Sequence, residues 1–297
     1  MHLHKRVIVL LLPAFLPVIL LAQQLKITDF VLFGGNGSCP TGQGQKAPLY
    51  PGCSVFIGPS SDIKSGAIGS YHLIKSGTNI HIAGDIFSAG SIQLGNNISV
   101  NGRIAAANTT KFAGNVIDIG NKASITGNVD AAGNISIGTG GSNVKGKVTH
   151  PAGTIYTGPV PAGGNITAMP AIPGMPSMPT INSFPAAGTV NITATRTITP
   201  GSYGNVTLTG KQKLTFSGPG VYVFKQIKNT GKKNSFIYDF KNIAKSAIYI
   251  YVHGDVDVNI HSAKLLNGGD ASRIFLETHG TGATSTNGTY AFTTGNR

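Results

Sequence analysis

IAGDIFSAGSIQLG, at residues 82–95, and ITGNVDAAGNISIG, at residues 125–138, are two copies of the motif that decides the fold. Six of their fourteen positions are identical, and most of the others exchange one residue for a similar one. The apolar-x-Gly-x-apolar core of the motif also begins at residues 100 and 144. The four copies are therefore offset by 18, 25 and 19 residues, and the longest offset belongs to a copy that carries a short insertion.

A repeat of this length, made of short alternating segments, is typical of a solenoid. Ile82, Gly84 and Ile86 face one way in a strand, and so do Ile92 and Leu94. Such short strands are unstable alone, whereas stacked coils align Ile on Ile and pair their backbone groups. We predict an all-β protein, a parallel β-helix or β-solenoid with short irregular coils and no substantial helix after the N-terminal segment. An antiparallel β-sandwich is the alternative.

The N-terminal sequence MHLHKRVIVLLLPAFLPVILLAQQ has the pattern of a secretory signal peptide. Its apolar run of about fifteen residues, Val7 to Leu21, is short for a membrane span, and the small residue Ala22 that follows it suits cleavage. We predict a signal peptide at 1–22, no membrane span after cleavage, and a secreted or cell-surface protein; a retained anchor is the alternative. In an oxidising compartment Cys39 and Cys53 are predicted to form a disulfide, with two free thiols as the alternative.

The chain divides by composition into the signal peptide, a repeat region at 23–150, a Pro-rich segment at 151–188 and a second β-rich part at 189–297. Frequent proline predicts an extended backbone in the third of these, either an interdomain linker or a strap along one solenoid face. The second β-rich part is predicted to continue the solenoid, with a native or a truncated C-terminus. Its aromatic residues are predicted to be core or ladder residues: Tyr203, Phe216, Tyr222, Phe224, Phe236, Tyr238 and Phe240.

The formal charge of +13 predicts an acidic partner. Cations are densest between residues 225 and 245. The predicted ligand-binding residues, for an acidic polysaccharide or cell-surface glycan, are Lys225, Lys228, Lys232 and Lys233. Diffuse solubilising charge is the alternative. No nucleic-acid-binding motif accompanies these lysines, so no specific nucleic-acid recognition is predicted.

The sequence YVHGDVDVNIH contains the sharpest polar cluster of the chain. Five polar residues would share one face if it formed a single strand: His253, Asp255, Asp257, Asn259 and His261. The two carboxylates and two imidazoles are ligands for a divalent cation, which predicts a metal site with Ca²⁺ as the candidate ion. Paired acids also indicate, as an alternative, a polysaccharide lyase or hydrolase that uses Asp255 and Asp257. The simplest alternative is the solvated face of one strand.

Other catalytic signatures are missing from the sequence. It contains no nucleophile elbow, metalloprotease helix, phosphate loop or dinucleotide fingerprint. With ten acidic residues and no Trp it also lacks the aromatic subsites usual in glycan-active enzymes. We therefore predict a protein without enzymatic activity. Alternate threonines from Thr193 to Thr199, with Thr207 and Thr209, make ice binding a minor alternative, which requires the same face on several stacked coils.

Five motifs follow one another along the chain: FVLFGGNG, IAGDIFSAGSIQLG, KVTHPAGTIYTGPVPAGGNI, ITPGSYGNVTLTGKQKLTFSGPGVYVFKQIKNTG and IYIYVHGDVDV…NGGDASRIFLETHGTG. Together they resemble the amino-terminal β-helical module of large secreted surface proteins of Gram-negative bacteria. They are similar to choice-of-anchor-A type domains and, more loosely, to polymer-forming bactofilin-like solenoids. The resemblance covers nearly the whole mature chain. It implies a structural or adhesive surface module, further domains in a longer parent protein, and no catalytic residues.

Overall fold

The computed structural model describes residues 24–35, 54–109, 111–177, 185–254, 256–278 and 290–294, excepting the side chains of 230, 232, 257–262 and 290–294. Over these ranges the protein is all-β, and its parallel sheets wind into a β-solenoid of about 8 turns. The two helical elements are single 3-10 turns, at Ile27–Asp29 and Ala271–Arg273. The predicted fold class is confirmed, and the parallel strand pairing excludes the antiparallel sandwich.

Three sequence predictions concern residues that are described only in part or not at all: the signal peptide, the disulfide and the lack of a membrane span after cleavage. The signal peptide at 1–22 and both cysteines, Cys39 and Cys53, lie outside the described residues. Within the described part of the chain, no helix combines the length and apolar character that crossing a membrane requires.

Short strands of two to five residues build the first solenoid. In the described residues from 30 to 167 they are β1 (Phe30–Gly34), β2 (Ser54–Ile57), β3 (Asp62–Ile63), β4 (Ala67–Ser70), β5 (Leu73–Ser76), β6 (Ile80–Ile82), β7 (Ile86–Ser88), β8 (Ser91–Leu94), β9 (Ile98–Val100), β10 (Ile104–Ala106), β11 (Asn115–Ile119), β12 (Ser124–Ile125), β13 (Val129–Ala131), β14 (Asn134–Ile137), β15 (Asn143–Val144), β16 (Val148–His150), β17 (Tyr156–Thr157) and β18 (Asn165–Thr167). Each complete coil gives one strand to each of three sheets. Sheet A has the order β1-β4-β7-β10-β13-β16-β18, sheet B β17-β14-β11-β8-β5-β2 and sheet C β15-β12-β9-β6-β3.

The predicted repeat is confirmed residue by residue. Ile82 pairs with Val100, Val100 with Ile125, and Ile125 with Val144, which are the four positions where the motif begins. All four side chains are buried in one continuous core. Ile63 pairs with Ile82 and adds an earlier rung. The sequence motif does not reveal this rung, because one extra residue separates it from the following glycine.

Glycines form a column at the corner between sheets C and A. A Cβ atom added to Gly102 would lie 2.4 Å from the carbonyl oxygen of Gly84, and one added to Gly127 would lie 2.4 Å from that of Gly102. The same atom on Gly146 would lie 2.3 Å from the carbonyl oxygen of Gly127. The obstructing carbonyl oxygen belongs to the backbone of the preceding coil, so it cannot rotate away as a flexible side chain would. A glycine at this position of the repeat is therefore required for consecutive coils to stack.

The first solenoid extends one coil beyond the repeat region expected from sequence. Strands β17 and β18 lie within the predicted Pro-rich segment and pair with β14 and β16. Tyr156 packs against the core, and Gly163 continues the glycine column over Gly146. Proline-rich composition therefore masks a coil that follows the same stacking rule.

Longer strands, with more aromatic residues, build the second solenoid. In the described residues from 196 onward they are β19 (Arg196–Ile198), β20 (Gly201–Ser202), β21 (Asn205–Leu208), β22 (Lys213–Ser217), β23 (Gly220–Phe224), β24 (Gln226–Asp239), β25 (Ile248–Val252), β26 (Val256–Leu266), β27 (Ile274–Thr278) and β28 (Tyr290–Thr294). Sheet D has the order β19-β22-β24-β26-β28, with β21 also paired to β24, and sheet E has the order β20-β23-β25-β27. The buried aromatic residues of its separate core were all predicted: Phe216, Tyr222, Phe224, Phe236, Tyr238 and Phe240. Tyr203, also predicted, is partly buried against them.

Residues 168–177 of the Pro-rich segment lie against the first solenoid, and we call them the strap. The Arg103 guanidinium donates to the carbonyl of Ala171 at 2.6 Å, and the Tyr71 hydroxyl donates to the carbonyl of Pro176. Arg103 stands two coils after Tyr71 along the chain, so the strap runs back over earlier coils. This contact pattern fits the strap interpretation of the segment for these residues.

Three outward-facing side chains of sheet A are also buried. Phe87, Ala105 and Asp130 alternate with core residues and therefore point away from the core, yet each is buried. Arg103 donates through Nε to Asp130 at 2.7 Å, and its Nη2 donates to the strap carbonyl of Ala171. The buried carboxylate is thus neutralised by the same guanidinium that binds the strap.

Replacing a glycine of the column should destabilise the whole stack. For Gly127→Ala we expect the free energy of unfolding to fall by about 2–3 kcal/mol, because the new methyl group overlaps a fixed carbonyl. Chemical denaturation followed by circular dichroism measures it. Gly174→Ala is the matched control, since its added Cβ meets nothing within 4 Å, and it should change stability by less than about 0.5 kcal/mol. Equal effects of the two variants would contradict the stacking rule.

Candidate functional site

Four lysines gather at one corner of the second solenoid, where the chain passes from β21 to β22 and, one coil later, bends within β24. Leu208 pairs with Asn229 before the corner, and Lys213 pairs with Ser235 after it. The intervening turns, 209–212 and 230–234, are therefore stacked, and the second is one residue longer than the first. The exposed lysines of these turns and of the strands beside them form what we call the basic corner: Lys211, Lys213, Lys228 and Lys233.

The backbone of the basic corner is held by buried amides. Asn234 Nδ2 donates to the carbonyl of Gly231 at 3.0 Å and also to Oδ1 of Asn229. Asn234 Oδ1 accepts from the backbone N–H of Gln212 at 2.9 Å. Gly231 packs so closely on Thr209 that an added Cβ would lie 1.9 Å from its carbonyl oxygen. These contacts fix the second turn directly on the first, which sets the separation of their lysines.

Lysine occupies left-handed backbone positions at this corner. Lys211 has φ of 53° and Lys233 has φ of 62°. Glycine or asparagine adopts this conformation at lower cost, and a lysine there costs roughly 1 kcal/mol of backbone strain. Lysine has the same backbone conformation at Lys111, Lys122, Lys241 and Lys245, so this strain is not special to the basic corner. Each long side chain leaves a convex corner toward solvent.

The basic corner is not neutralised by the described carboxylates. The ion pairs among the described residues join Lys64 and His81 to Asp62, Arg103 to Asp130, and Lys241 to Asp239. None of them includes a lysine of the basic corner. The backbone register places Asp257 beside Lys228 at one edge, leaving an excess of positive charge.

The structure brings together two of the four predicted ligand-binding lysines. Lys228 and Lys233 belong to the basic corner, whereas Lys225 is exposed at a different corner, between β23 and β24. The side chain of Lys232 lies outside the described residues. Sequence analysis missed Lys211 and Lys213, although an offset of 22 residues relates Lys211 to Lys233 and Lys213 to Ser235. Applied as a coil length to Lys233, that offset leads to Lys211, but it relates Lys213 to a serine and so does not single it out.

The predicted metal cluster does not lie along a single strand. Strand β25 ends at Val252 and β26 begins at Val256, because the chain turns a corner where an added Cβ on Gly254 would lie 2.7 Å from the Lys225 carbonyl oxygen. His253 therefore stands apart from Asp257 and His261, and its Nε2 lies 2.7 Å from the carbonyl oxygen of Pro185. The single-strand prediction is wrong for this physical reason.

For the other members of the predicted metal cluster, the cation site stays a prediction. Asp255 and the side chains of Asp257 and His261 lie outside the described residues. The strand neighbours of Asp257 are Lys228 and Ala291, so neither adjacent coil supplies a second carboxylate in register. Among the described side chains, no group of three His, Cys, Asp or Glu residues is placed to hold a metal ion.

A shallow polar depression of about 420 Å³ lies on sheet C of the first solenoid. Asp62 is the one carboxylate in its lining, and His81 Nδ1 lies 2.9 Å from it. Hydrogen bonds from Lys64 and then from His81 hold the pKa of Asp62 below its usual value. Glycoside hydrolysis ordinarily uses two carboxylates across the scissile bond, so this depression lacks the second.

The predicted threonine face is limited to two coils. Thr197 pairs with Thr215 in the next coil, but Ile237 occupies the following position of that column. Thr207 pairs with Lys228. The stacked threonine array that ice binding requires is therefore not continued in this part of the chain.

Comparison of the chain with protein-family models, with curated proteins and with solved structures finds no match. The assignment of a function therefore depends on the surface chemistry of the solenoid. The basic corner is the candidate site, since it combines exposed charge with a rigid, hydrogen-bonded backbone.

Lys241 also has a left-handed backbone, but its charge is paired with Asp239 at 2.7 Å. The hydrogen bond from the Lys241 side chain, then the one from its backbone, lowers the pKa of Asp239, and Asn267 contributes further. A carboxyl group with a lowered folded pKa adds stability above its unfolded pKa of about 3.9, and loses it as pH falls toward the folded pKa.

We therefore expect Asp239→Asn to be less stable than the wild type at pH 7 and to lose less stability between about pH 4 and pH 2. Denaturation at a series of pH values measures both quantities. Asp118→Asn is the control, because Asp118 is exposed and belongs to none of the described ion pairs. A pH dependence unchanged by Asp239→Asn would contradict the role of this pair.

Proposed function

We propose that this protein is a non-enzymatic, exported β-solenoid that serves as a structural or adhesive module at the cell surface. Its contact with a partner is made by the basic corner, and the partner is an acidic glycan. The observation that carries the proposal is the stacking of exposed lysines from consecutive coils on one rigid corner.

The stacking of the coils suits a linear polyanion. Neighbouring strands lie about 4.8 Å apart, so the stacked turns that carry Lys211 and Lys233 place two lysines one coil apart along the solenoid axis. A polysaccharide that carries a carboxylate or sulfate on successive sugars presents charges in a line of the same kind. Because the corner is preorganised, binding orders only the lysine side chains and the polymer.

The surroundings of the basic corner favour a glycan over a nucleic acid. Proteins that bind single-stranded nucleic acids combine a basic groove with aromatic side chains on which bases stack. The described neighbours of these lysines on the corner are polar, including Thr209, Gln212 and Ser235. A convex polar corner contacts the charges of a polymer and offers no platform for bases.

Two further observations support a surface module without catalysis. The N-terminal sequence has the pattern of a signal peptide, and the motifs of the chain resemble surface modules of Gram-negative bacteria. The polar depression on sheet C contains one carboxylate, Asp62, where a polysaccharide hydrolase would need two. The solenoid therefore supplies rigidity and a charged edge.

We expect the quadruple variant Lys211→Gln, Lys213→Gln, Lys228→Gln, Lys233→Gln to bind heparin and polygalacturonate at least about 10-fold more weakly than the wild type. Four exposed ion pairs at about 0.2–1 kcal/mol each sum to about 1–4 kcal/mol, and a tenfold loss of affinity corresponds to about 1.4 kcal/mol. Binding is measured by isothermal titration calorimetry at several salt concentrations. The dependence on salt should also weaken, since fewer counterions are displaced.

The matched control is Lys111→Gln, Lys122→Gln, Lys145→Gln, Lys147→Gln on the first solenoid. These lysines are exposed too, and Lys111 and Lys122 share the left-handed backbone of Lys211 and Lys233. The control removes the same net charge from elsewhere and should keep most of the affinity. Equal losses in both variants would indicate diffuse charge and overturn the site. Tighter binding of single-stranded DNA than of either glycan would overturn the ligand class.

A further inference from the structure

The polar depression on sheet C crosses four consecutive coils of the first solenoid, and its outward strand residues occupy one position of the repeat. Asp62 pairs with His81, and His81 pairs with Ser99. Ser124 and then Asn143 continue this line in the next two coils. We call these five exposed or half-buried residues the strand column. Neighbours in the column are 18 to 25 residues apart in the sequence, so no local motif reveals them.

A second column of polar residues lies two positions earlier in each coil, at the corner between sheets B and C. All its members have a left-handed backbone, with φ between 57° and 60°, and we call them the corner column: Ser60, Asn79, Asn97 and Lys122. The backbone N–H of each donates to a carbonyl of the next coil at 2.8–3.0 Å, so the four are stacked. The two columns form a polar grid with spacings of about 4.8 Å along the axis and about 7 Å across it.

Hydrogen bonds within the grid hold some of its side chains and leave other polar atoms for a ligand. Asn97 Nδ2 donates to Asn79 Oδ1 at 2.7 Å, and His81 Nδ1 lies 2.9 Å from Asp62 Oδ1. Among the described residues, Asn79 Nδ2 and Asn97 Oδ1 have no hydrogen-bond partner. The first is a donor and the second an acceptor, and both belong to amides that are already held in place.

The charges of the grid do not select a polyanion. The lining of the depression contains one carboxylate, Asp62, and one ammonium group, Lys122. Asp62 is also paired with Lys64 at 2.7 Å. With opposite charges and many neutral amides and hydroxyls, the grid suits an uncharged ligand that both donates and accepts hydrogen bonds.

We propose that the grid binds an extended, neutral polysaccharide that lies along the solenoid axis. A pyranose ring is about as long as the coil spacing of about 4.8 Å, so a straight chain of sugars presents one ring to each coil. Hydroxyls on the two sides of the chain then reach the strand column and the corner column. This ligand differs from the acidic polymer proposed for the basic corner, and its site lies on the other solenoid.

The same geometry argues against a polypeptide as the occupant of the grid. An extended polypeptide advances about 3.3 Å per residue, so its polar groups fall out of step with coils about 4.8 Å apart. Ile80 and Ile98, the apolar residues of the lining, are buried beneath the grid. The grid therefore offers no exposed apolar anchor of the kind that dominates protein interfaces.

The test titrates β-1,4-linked hexaoses of glucose, mannose, xylose and N-acetylglucosamine into the full chain, with binding followed by saturation-transfer NMR and calorimetry. At least one should bind with a dissociation constant below about 1 mM. Its affinity should rise with chain length up to about five sugars, because the strand column spans five coils. Maltohexaose, whose α-1,4 links curve the chain, should bind at least about 10-fold more weakly.

The double variant Asn79→Gly, Asn97→Gly removes two amides of the corner column. Glycine adopts the left-handed backbone without strain, so the coils should keep their shape. Binding of the best hexaose should weaken at least about fivefold, since two hydrogen-bonding groups are lost. The matched control is Asn242→Gly, Asn267→Gly, which replaces two left-handed asparagines of the second solenoid and should keep the affinity.

Four outcomes overturn the proposal. They are failure of all four hexaoses to bind, an affinity independent of chain length, equal binding of maltohexaose, and an equal loss in the control variant. Inhibition of ice recrystallisation in place of glycan binding, abolished by Asn79→Gly, Asn97→Gly, assigns the grid to ordered water and also overturns it.

A second variant keeps the test decisive if the double glycine variant unfolds by circular dichroism. Ser99→Lys then replaces it, because a long side chain in the strand column obstructs the path of the polymer, with the same expected loss. The lysine variants of the basic corner should leave the neutral hexaoses unaffected, and Asn79→Gly, Asn97→Gly should leave heparin binding unaffected. The two proposed sites therefore succeed or fail separately.

Discussion

The structure depends on the close approach of each corner glycine to the backbone of the coil before it. Gly84, Gly102, Gly127 and Gly146 occupy places where a methyl group would overlap a carbonyl oxygen at 2.1–2.4 Å. This contact sets the register between consecutive coils in sheets A, B and C. A coil can stack only where its corner glycine lies on the corner glycine of the preceding coil. Short strands, which would be unstable alone, then pair along their whole length and bury isoleucine on isoleucine.

Stacking also explains how surface sites arise in this protein. Residues that are 20 to 30 positions apart become neighbours when they occupy equivalent places in consecutive coils. In this way the turns that carry Lys211 and Lys233 are stacked at a corner, and Tyr249 meets Phe275 on a flat face. Neither pair belongs to a local motif. The coil length therefore determines which side chains become neighbours on the surface. A change of one residue between corners would move a side chain to another column.

The first solenoid could be predicted from sequence because its copies keep both the glycine and the spacing of the apolar residues. The second could be predicted only as β-structure: its coils differ in length, and β24 bends through a corner at which its pairing shifts register between Asn229 and Ser235. For that reason Lys228 and Lys233 were found while Lys211 and Lys213 were missed. The metal prediction assumed that His253 and Asp257 lie on one strand, and the corner at Gly254 separates them. Alternation identifies a strand but does not reveal where a coil turns.

The strap has a mechanical consequence. Coils of a solenoid are joined by hydrogen bonds that run along its axis, so tension along that axis pulls directly on them and can peel the end coil first. The strap is continuous backbone laid parallel to the same axis, tied to Arg103 in one coil and to Tyr71 two coils earlier. The strap therefore carries part of any tension along the axis, in parallel with the hydrogen bonds between the coils. Separation of the intervening coils would have to break the hydrogen bond of Arg103 to Ala171 or that of Tyr71 to Pro176 as well as the ladder.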